Sequence, residues 1–221
     1  MGREVPHGLS SLLAAVMRRT AMIMLSLCMA ACSLQEPLLQ SGDLVFVSEE
    51  TGNDTGSMSQ AIVSATGSIT HVAIVEVDGA GDVWVIDATP RRGVSRHTLA
   101  SLIQDNPGAA FIVKRLRDTT GASLFIENAK AFIGQPYDHA FLPDNGAMYC
   151  SELVRESFLR ADGSFLFDEA PMNFLAPDGS TPQYWKQLFD GLGMEVPQGV
   201  LGTNPQDMSR SPLLETVETE L

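Results

Sequence analysis

His71-Val72-Ala73-Ile74-Val75-Glu76-Val77 and Asp82-Val83-Trp84-Val85-Ile86-Asp87-Ala88, joined by Asp78-Gly79-Ala80-Gly81, are the stretches whose reading decides the fold. Both arms are rich in β-branched and aromatic residues and the link is built from turn formers, which predicts an antiparallel hairpin. If the register sets His71 directly opposite Asp87, the two side chains share one face of the sheet. A slip of two residues keeps them diagonal neighbours, whereas a slip of one puts them on opposite faces.

Upstream, Asp43-Leu44-Val45-Phe46-Val47 reads as a buried strand, and Thr55 to Ala65 as a helix with Met58, Ala61, Ile62 and Ala65 at helical spacing. Downstream come a short helix (Thr98 to Ile103), a strand (Ala110 to Arg115) and a helix (Ser123 to Ile133) closed by Gly134-Gln135-Pro136. After the loop 137–149 a further helix, Cys150 to Ala161, places Leu153, Val154, Ser157, Phe158 and Ala161 on one face, so it is a core helix that begins at the cysteine. Ser180 to Leu192 predicts another helix, and Pro197 to Pro212 an extended polar segment before an acidic tail, 213–221. The simplest account is one α+β domain over 41–212: an antiparallel sheet or barrel with packed helices.

With 221 residues, 44% of them hydrophobic and 19% charged, the chain has the balance of a globular protein able to bury a core. Its formal net charge of -13 repels phosphate backbones, so nucleic acid is excluded as an expected partner. The N-terminus reads as an address. Arg18-Arg19 precede an apolar run from Ala21 to Ala31, which is shorter than the ~20 residues a membrane span needs. Met29-Ala30-Ala31-Cys32 resembles a bacterial lipobox, so residues 1–31 are expected to be a signal peptide, with Met17 a more usual start. Cys32 is then the lipidated first residue of a tether, 32–40, anchoring the protein in the bacterial cell envelope. The plainer alternative is an apolar helix packed on the domain. Export would leave Cys150 as the single free thiol, in a compartment where thiols oxidise.

A thiolate is the useful form of a cysteine nucleophile, and a helix N-terminus stabilises it. Cys150 is placed for that, with His71 as a base and Asp87 to orient the ring. Each residue alone has a plainer explanation: a small buried hydrophobe, a satisfied strand-end histidine, the start of a turn before Ala88-Thr89-Pro90. His139, in the loop before Cys150, is the alternative base. His97 sits beside a helix start, and His7 falls in the removed segment. No pair has the close spacing of a zinc site, so neither a metal nor any other cofactor is expected.

Ser41-Gly42-Asp43-Leu44-Val45-Phe46, Thr70-His71-Val72-Ala73-Ile74-Val75, Val85-Ile86-Asp87-Ala88, Gly134-Gln135-Pro136-Tyr137-Asp138, Tyr149-Cys150-Ser151-Glu152-Leu153-Val154 and Thr203-Asn204-Pro205-Gln206-Asp207 occur in that order. As a set they resemble the permuted NlpC-type cysteine amidases, the YiiX-like branch of the papain-like superfamily. The resemblance implies a circularly permuted papain-like fold in which the histidine hairpin precedes the cysteine helix. It also implies Cys150 as nucleophile, His71 as base and the hairpin acid as orienter. Many such relatives carry Glu where this chain has Asp87, so the shorter side chain must sit closer to the ring or hold it more weakly. Tyr137 and Tyr149 are candidates either for a cleft wall or for plain packing, and the Cys150 N–H for an oxyanion donor.

The function expected is amide hydrolysis through a thioester, on a peptide or acyl-amide substrate such as a cell-wall stem peptide. Two alternatives stand beside it. One is acyl chemistry on lipids, by resemblance to permuted lecithin:retinol acyltransferase relatives; the other is a binding module on a degenerate hydrolase scaffold.

Overall fold

The hairpin forms, with its register displaced by two residues from the pairing that would set His71 opposite Asp87. In a computed structural model that describes residues 39–50, 56–219 and 221, strands β2 (Ile69–Val77) and β3 (Val83–Thr89) pair antiparallel. Ile74 stands opposite Ile86, Val75 opposite Val85 and Val77 opposite Val83. The loop explains the shift. Asp78 Oδ1 accepts the N–H groups of Ala80 and Asp82 at 2.9 and 3.0 Å, and Oδ2 accepts the Trp84 indole N–H at 2.9 Å. This wraps residues 78–82 into one turn and moves the ladder on by two. Because the shift is even, His71 and Asp87 keep a common face as diagonal neighbours.

β1 (Leu44–Ser48), β4 (Gly93–Thr98), β5 (Ala110–Leu116) and β8 (Leu214–Thr216) complete a six-stranded antiparallel sheet in the order β4-β3-β2-β1-β5-β8. The central strands are covered on both faces, which is why Leu44-Val45-Phe46-Val47 is a continuous apolar run rather than an alternating one. On one face Phe46, Val72, Ile74 and Ile86 meet Phe125 and Ile126 of α3 (Ala122–Ala131) and Leu153 and Val154 of α4 (Cys150–Ser157). On the other, Val45, Ala73, Val75 and Val85 meet Leu102 of α2 (Leu99–Asp105). A third cluster joins α1 (Met58–Thr66) to α5 (Gln183–Leu192) through Phe141, Tyr149, Phe174, Trp185 and Phe189. The expected α+β architecture is thus the one observed.

Several boundaries differ from expectation for identifiable reasons. β4 was not foreseen: Gly93-Val94-Ser95-Arg96-His97-Thr98 is too polar to read as a strand, and it owes its place to pairing with β3. α4 stops at Ser157, short of Ala161, because Arg160 N–H bonds Ser164 O at 2.7 Å and Leu166 N–H bonds Phe158 O at 3.0 Å, turning the chain back. The extended segment 197–212 contains a two-residue strand, β7 (Leu201–Gly202), which pairs with β6 (Ala170–Pro171), and the helix α6 (Pro205–Ser209). Residues 213–221 are not simply a tail, since β8 lies among them and Leu214 is buried. At the other end Leu39, expected in the tether, is buried in the core. The signal segment, Met17 and Cys32 lie outside the described residues.

Several of the stretches that carry the family resemblance are joints. Asp43 is buried and holds Arg115 of β5 through two bonds, at 2.6 and 2.8 Å. Asn204 caps α6 by accepting the Asp207 N–H at 2.8 Å, and Gln206 Oε1 accepts the Ile69 N–H at 3.2 Å, fastening α6 to the start of β2.

Candidate active site

Asp87 is the fixed centre of the site. It lies in β3 with 0% exposure, and its two carboxylate oxygens face two different histidines: Oδ2 is 2.8 Å from His71 Nε2 and Oδ1 is 2.9 Å from His97 Nε2. An ionised carboxylate only accepts, so both Nε2 atoms carry the hydrogen. Burial alone would raise the Asp87 pKa. The hydrogen bonds and charges of His71 and His97 outweigh it and hold the carboxyl well below the usual range.

With Nε2 committed to Asp87, His71 has Nδ1 left for a partner. Burial lowers the pKa of His71, but the charge of Cys150, the Asp87 hydrogen bond and a hydrogen bond with Cys150 prevail and raise it to about 10. The imidazolium is therefore favoured when Cys150 is a thiolate, as expected of a Cys–His ion pair. Cys150 is the first residue of α4 and 7% exposed, at the end of a helix whose initial N–H groups lack intrahelical acceptors. His71 side chain is 16% exposed, and both residues line one cleft of about 470 Å³.

The two tyrosines flank the cysteine. Tyr137 and Tyr149 both line the cleft and both also pack in the third cluster, so the two roles are not exclusive. Burial and then the Cys150 charge push the Tyr137 phenol well above its ordinary pKa, and burial pushes Tyr149 up to about 12, so both stay neutral donors. Tyr149 O–H accepts the Thr203 N–H at 3.0 Å, and Thr203 Oγ1 donates to Ser151 Oγ at 3.1 Å, clamping the start of α4 to the chain after β7. A Cβ on Gly202 would lie 2.8 Å from the Tyr149 oxygen, so a side chain there would break this approach. Glu152 Oε2 accepts the Tyr149 N–H at 3.3 Å; burial raises Glu152 to about 8, with Asp138 and Glu156 adding to the rise.

The segment carrying Tyr137 is seated on β4. Val94 N–H bonds Gln135 O and Gly134 N–H bonds Val94 O, each at 2.9 Å. His139 packs edge-on against Tyr137, with ring centroids 5.0 Å apart, and is not among the residues lining the cleft. Beyond the polar floor the cleft wall is largely apolar, with Met58, Ile62, Phe141, Met172, Phe174 and Trp185. Arg91 and Arg92 stand at one rim, both paired with Asp105.

Sequence reasoning singled out Cys150, His71, Asp87, Tyr137 and Tyr149, and all five line this cleft. It passed over His97, whose signal was phase: in β4, Ser95 stands opposite Asp87 and His97 opposite Val85, on the face that Asp87 shares. It also missed Thr203 and the aromatic wall, which arrive from distant parts of the chain.

A buried carboxylate bonded to a histidine, in a cleft shared with a cysteine that starts a core helix, is the His-before-Cys arrangement expected of a permuted papain-like chain. Residues 38–218 match the family described as permuted papain-like amidase enzyme, YaeF/YiiX, C92 family, and the chain belongs to it. It is 25% identical over 186 residues to the Escherichia coli K12 "Uncharacterized protein YiiX", covering 82% of this chain and 87% of that protein. A crystal structure of the "metalloprotein yiiX" from Escherichia coli O157:H7 superposes with a TM-score of 0.67 at 25% identity, covering 83% of this chain and 99% of the other.

The word metalloprotein in that description stands against the expectation that no metal takes part. Among the described residues, however, no group of three or more His, Cys, Asp or Glu side chains is placed to hold a metal ion. His71 and His97 each commit Nε2 to Asp87 instead of converging on a shared position. The side chains of the described residues do not fit a metal centre.

Proposed function

We propose that the chain is a cysteine amidase acting through a thioester, with Cys150 as nucleophile, His71 as proton carrier and Asp87 as orienter. The observation that carries this reading is the 2.8 Å bond between His71 Nε2 and buried Asp87, in a cleft that Cys150 also lines, where the Cys150 charge acts on His71. The Cys150 sulfur, as thiolate, attacks the amide carbonyl carbon, and the developing oxyanion is received at the start of α4, where the Cys150 N–H is the nearest donor. The C–N bond breaks as the His71 imidazolium gives its proton to the leaving amine, leaving a thioester. A water then gives a proton to His71 and adds its oxygen to the thioester, releasing the acid and restoring the thiolate.

The substrate proposed is a cell-wall stem peptide or another envelope amide, within reach of a protein tethered through a lipidated Cys32. The largely apolar cleft wall also favours a second reading, acyl chemistry on lipids, since such a wall binds hydrocarbon as readily as peptide. One experiment separates them. Wild-type protein and Cys150→Ala are incubated with purified cell-wall peptides and with acyl lipids, and acid-quenched samples are weighed by mass spectrometry. An acyl adduct on Cys150, with a released amine from the peptides, supports the amidase. Fatty acid release with the peptides uncut favours the lipid reading. Equal turnover by Cys150→Ala sinks both. Loss of acyl-chain labelling in Cys32→Ala tests the anchor.

A further inference from the structure

Asp87 is held from both sides, and only one of its partners has a role in the mechanism above. His71 approaches from β2 and His97 from β4, the strands on either side of β3, each bonding one carboxylate oxygen. We propose that His97 is a positioning residue: its Nε2–H, donating to Oδ1, fixes the plane of the Asp87 carboxylate so that Oδ2 meets His71 at the angle that orients the ring toward Cys150. This rests on the Cys150–His71–Asp87 reading and extends it by one residue.

Three observations carry the proposal. The carboxylate torsion of an aspartate is broad and roughly two-fold, so a single bond at Oδ2 leaves its plane free to rock, whereas a second donor at Oδ1 removes that freedom. His97 is 11% exposed and its Nδ1 is buried with no hydrogen-bond partner, so the bond to Asp87 is its one polar link among those observed. A histidine serving only to pack there would leave both nitrogens uncompensated, at a cost an apolar residue avoids. Among the described residues, His71 and His97 are the side chains bonded to Asp87. Ser95, directly opposite it, leaves its Oγ unpartnered instead of donating to the carboxylate, Val85 and Leu102 are apolar, and Arg96 is spent on Glu76.

The aspartate itself gives the arrangement a purpose. A side chain one methylene shorter than glutamate has less reach, and holding its second oxygen is a way to keep the first on target.

The test uses the reactivity of Cys150 toward iodoacetamide, which needs no substrate, at pH 6 on the full chain. Glutamine places its amide nitrogen where His Nε2 lies and keeps the donor; asparagine reaches only the Nδ1 position and loses it. His97→Asn and His97→Phe are expected to slow alkylation about tenfold, with His97→Gln within about threefold of wild type, because thiolate availability follows the ion pair that Asp87 orients. Circular dichroism and cooperative thermal unfolding check that each variant folds, and if His97→Phe does not, the Gln and Asn pair decides. His71→Ala is the control. If it slows alkylation while His97→Asn reacts as wild type, or if Gln is as slow as Asn, the positioning role is overturned and the Cys150–His71 reading stands. If His71→Ala reacts as wild type, that reading falls, and this extension with it.

Discussion

The start of α4 and the middle of β3 supply two sides of one cleft, Cys150 and Asp87, and they are built in opposite ways. Cys150 sits at a helix terminus and lines the cleft. Asp87 sits in mid-strand with no exposure, each oxygen taken by a histidine. The proposed roles suit these settings: an end of a regular element leaves a nucleophile reachable, and the inside of a sheet keeps an orienting carboxylate dry while neighbouring strands deliver donors at fixed spacing. His71 lies between the two, with Nε2 committed to Asp87.

Cys150→Ala is expected to lower amidase turnover by at least about 10³-fold while leaving the fold intact, since the nucleophile is lost and the volume change is small. Steady-state kinetics with a thermal melt check both halves, and retained activity would remove Cys150 from the chemistry.

At the other end, Asp87→Asn is expected to cost about 10²–10⁴-fold in kcat, because an amide cannot accept from both histidines at once. It should also change the alkaline limb of the pH profile. His71 is raised from 6.5 to about 10, so the charged pair persists until the pH approaches about 10. Removing the Asp87 charge moves that limb to lower pH; an unchanged limb would show that Asp87 does not act on His71. Stability follows the same signs. The His71 contribution is complete below about pH 6.5 and fades as the pH rises toward about 10. The Asp87 contribution is present above its unfolded value near 3.8 and is lost as the pH falls through its depressed folded value.

A smaller effect is expected where β4 meets the Tyr137 segment. A Cβ at Gly93, whose φ is +64°, would lie 2.3 Å from Gln135 O. Gly93→Ala should therefore cost about 1–3 kcal/mol in chemical unfolding and pull Tyr137 away from the cleft. The smallest effect belongs to Glu152, whose folded pKa of about 8 lies above its ordinary 4.5. Its charged form is disfavoured by folding, so stability declines as the pH rises from about 4.5 to about 8. Glu152→Gln should melt higher than wild type at pH 8 and no higher at pH 4. A higher melting point at both would point to packing instead of charge.

How far these regions could be read in advance follows from where their information lies. The β2–β3 hairpin is legible because alternation and turn residues are local, and the even period of a strand made the shared face of His71 and Asp87 survive a two-residue error in register. α4 is legible because Leu153 and Val154 recur at helical spacing from Cys150. β4 is not, since a polar strand becomes one only when another strand offers it a ladder, and with β4 went the meaning of His97. The same holds for β8, an edge strand of three residues made by pairing with β5.

By itself, then, the sequence determined the α+β class, the hairpin, the cysteine helix and the order of histidine before cysteine, because each is written in spacings of a few residues. Only the tertiary structure decided the rest. The two-residue register, the second histidine on Asp87, the Thr203 clamp on Tyr149 and the aromatic wall of the cleft join residues from 10 to 54 positions apart or more, across contacts that no local pattern encodes. They exist because packing the two faces of one sheet brings those segments together.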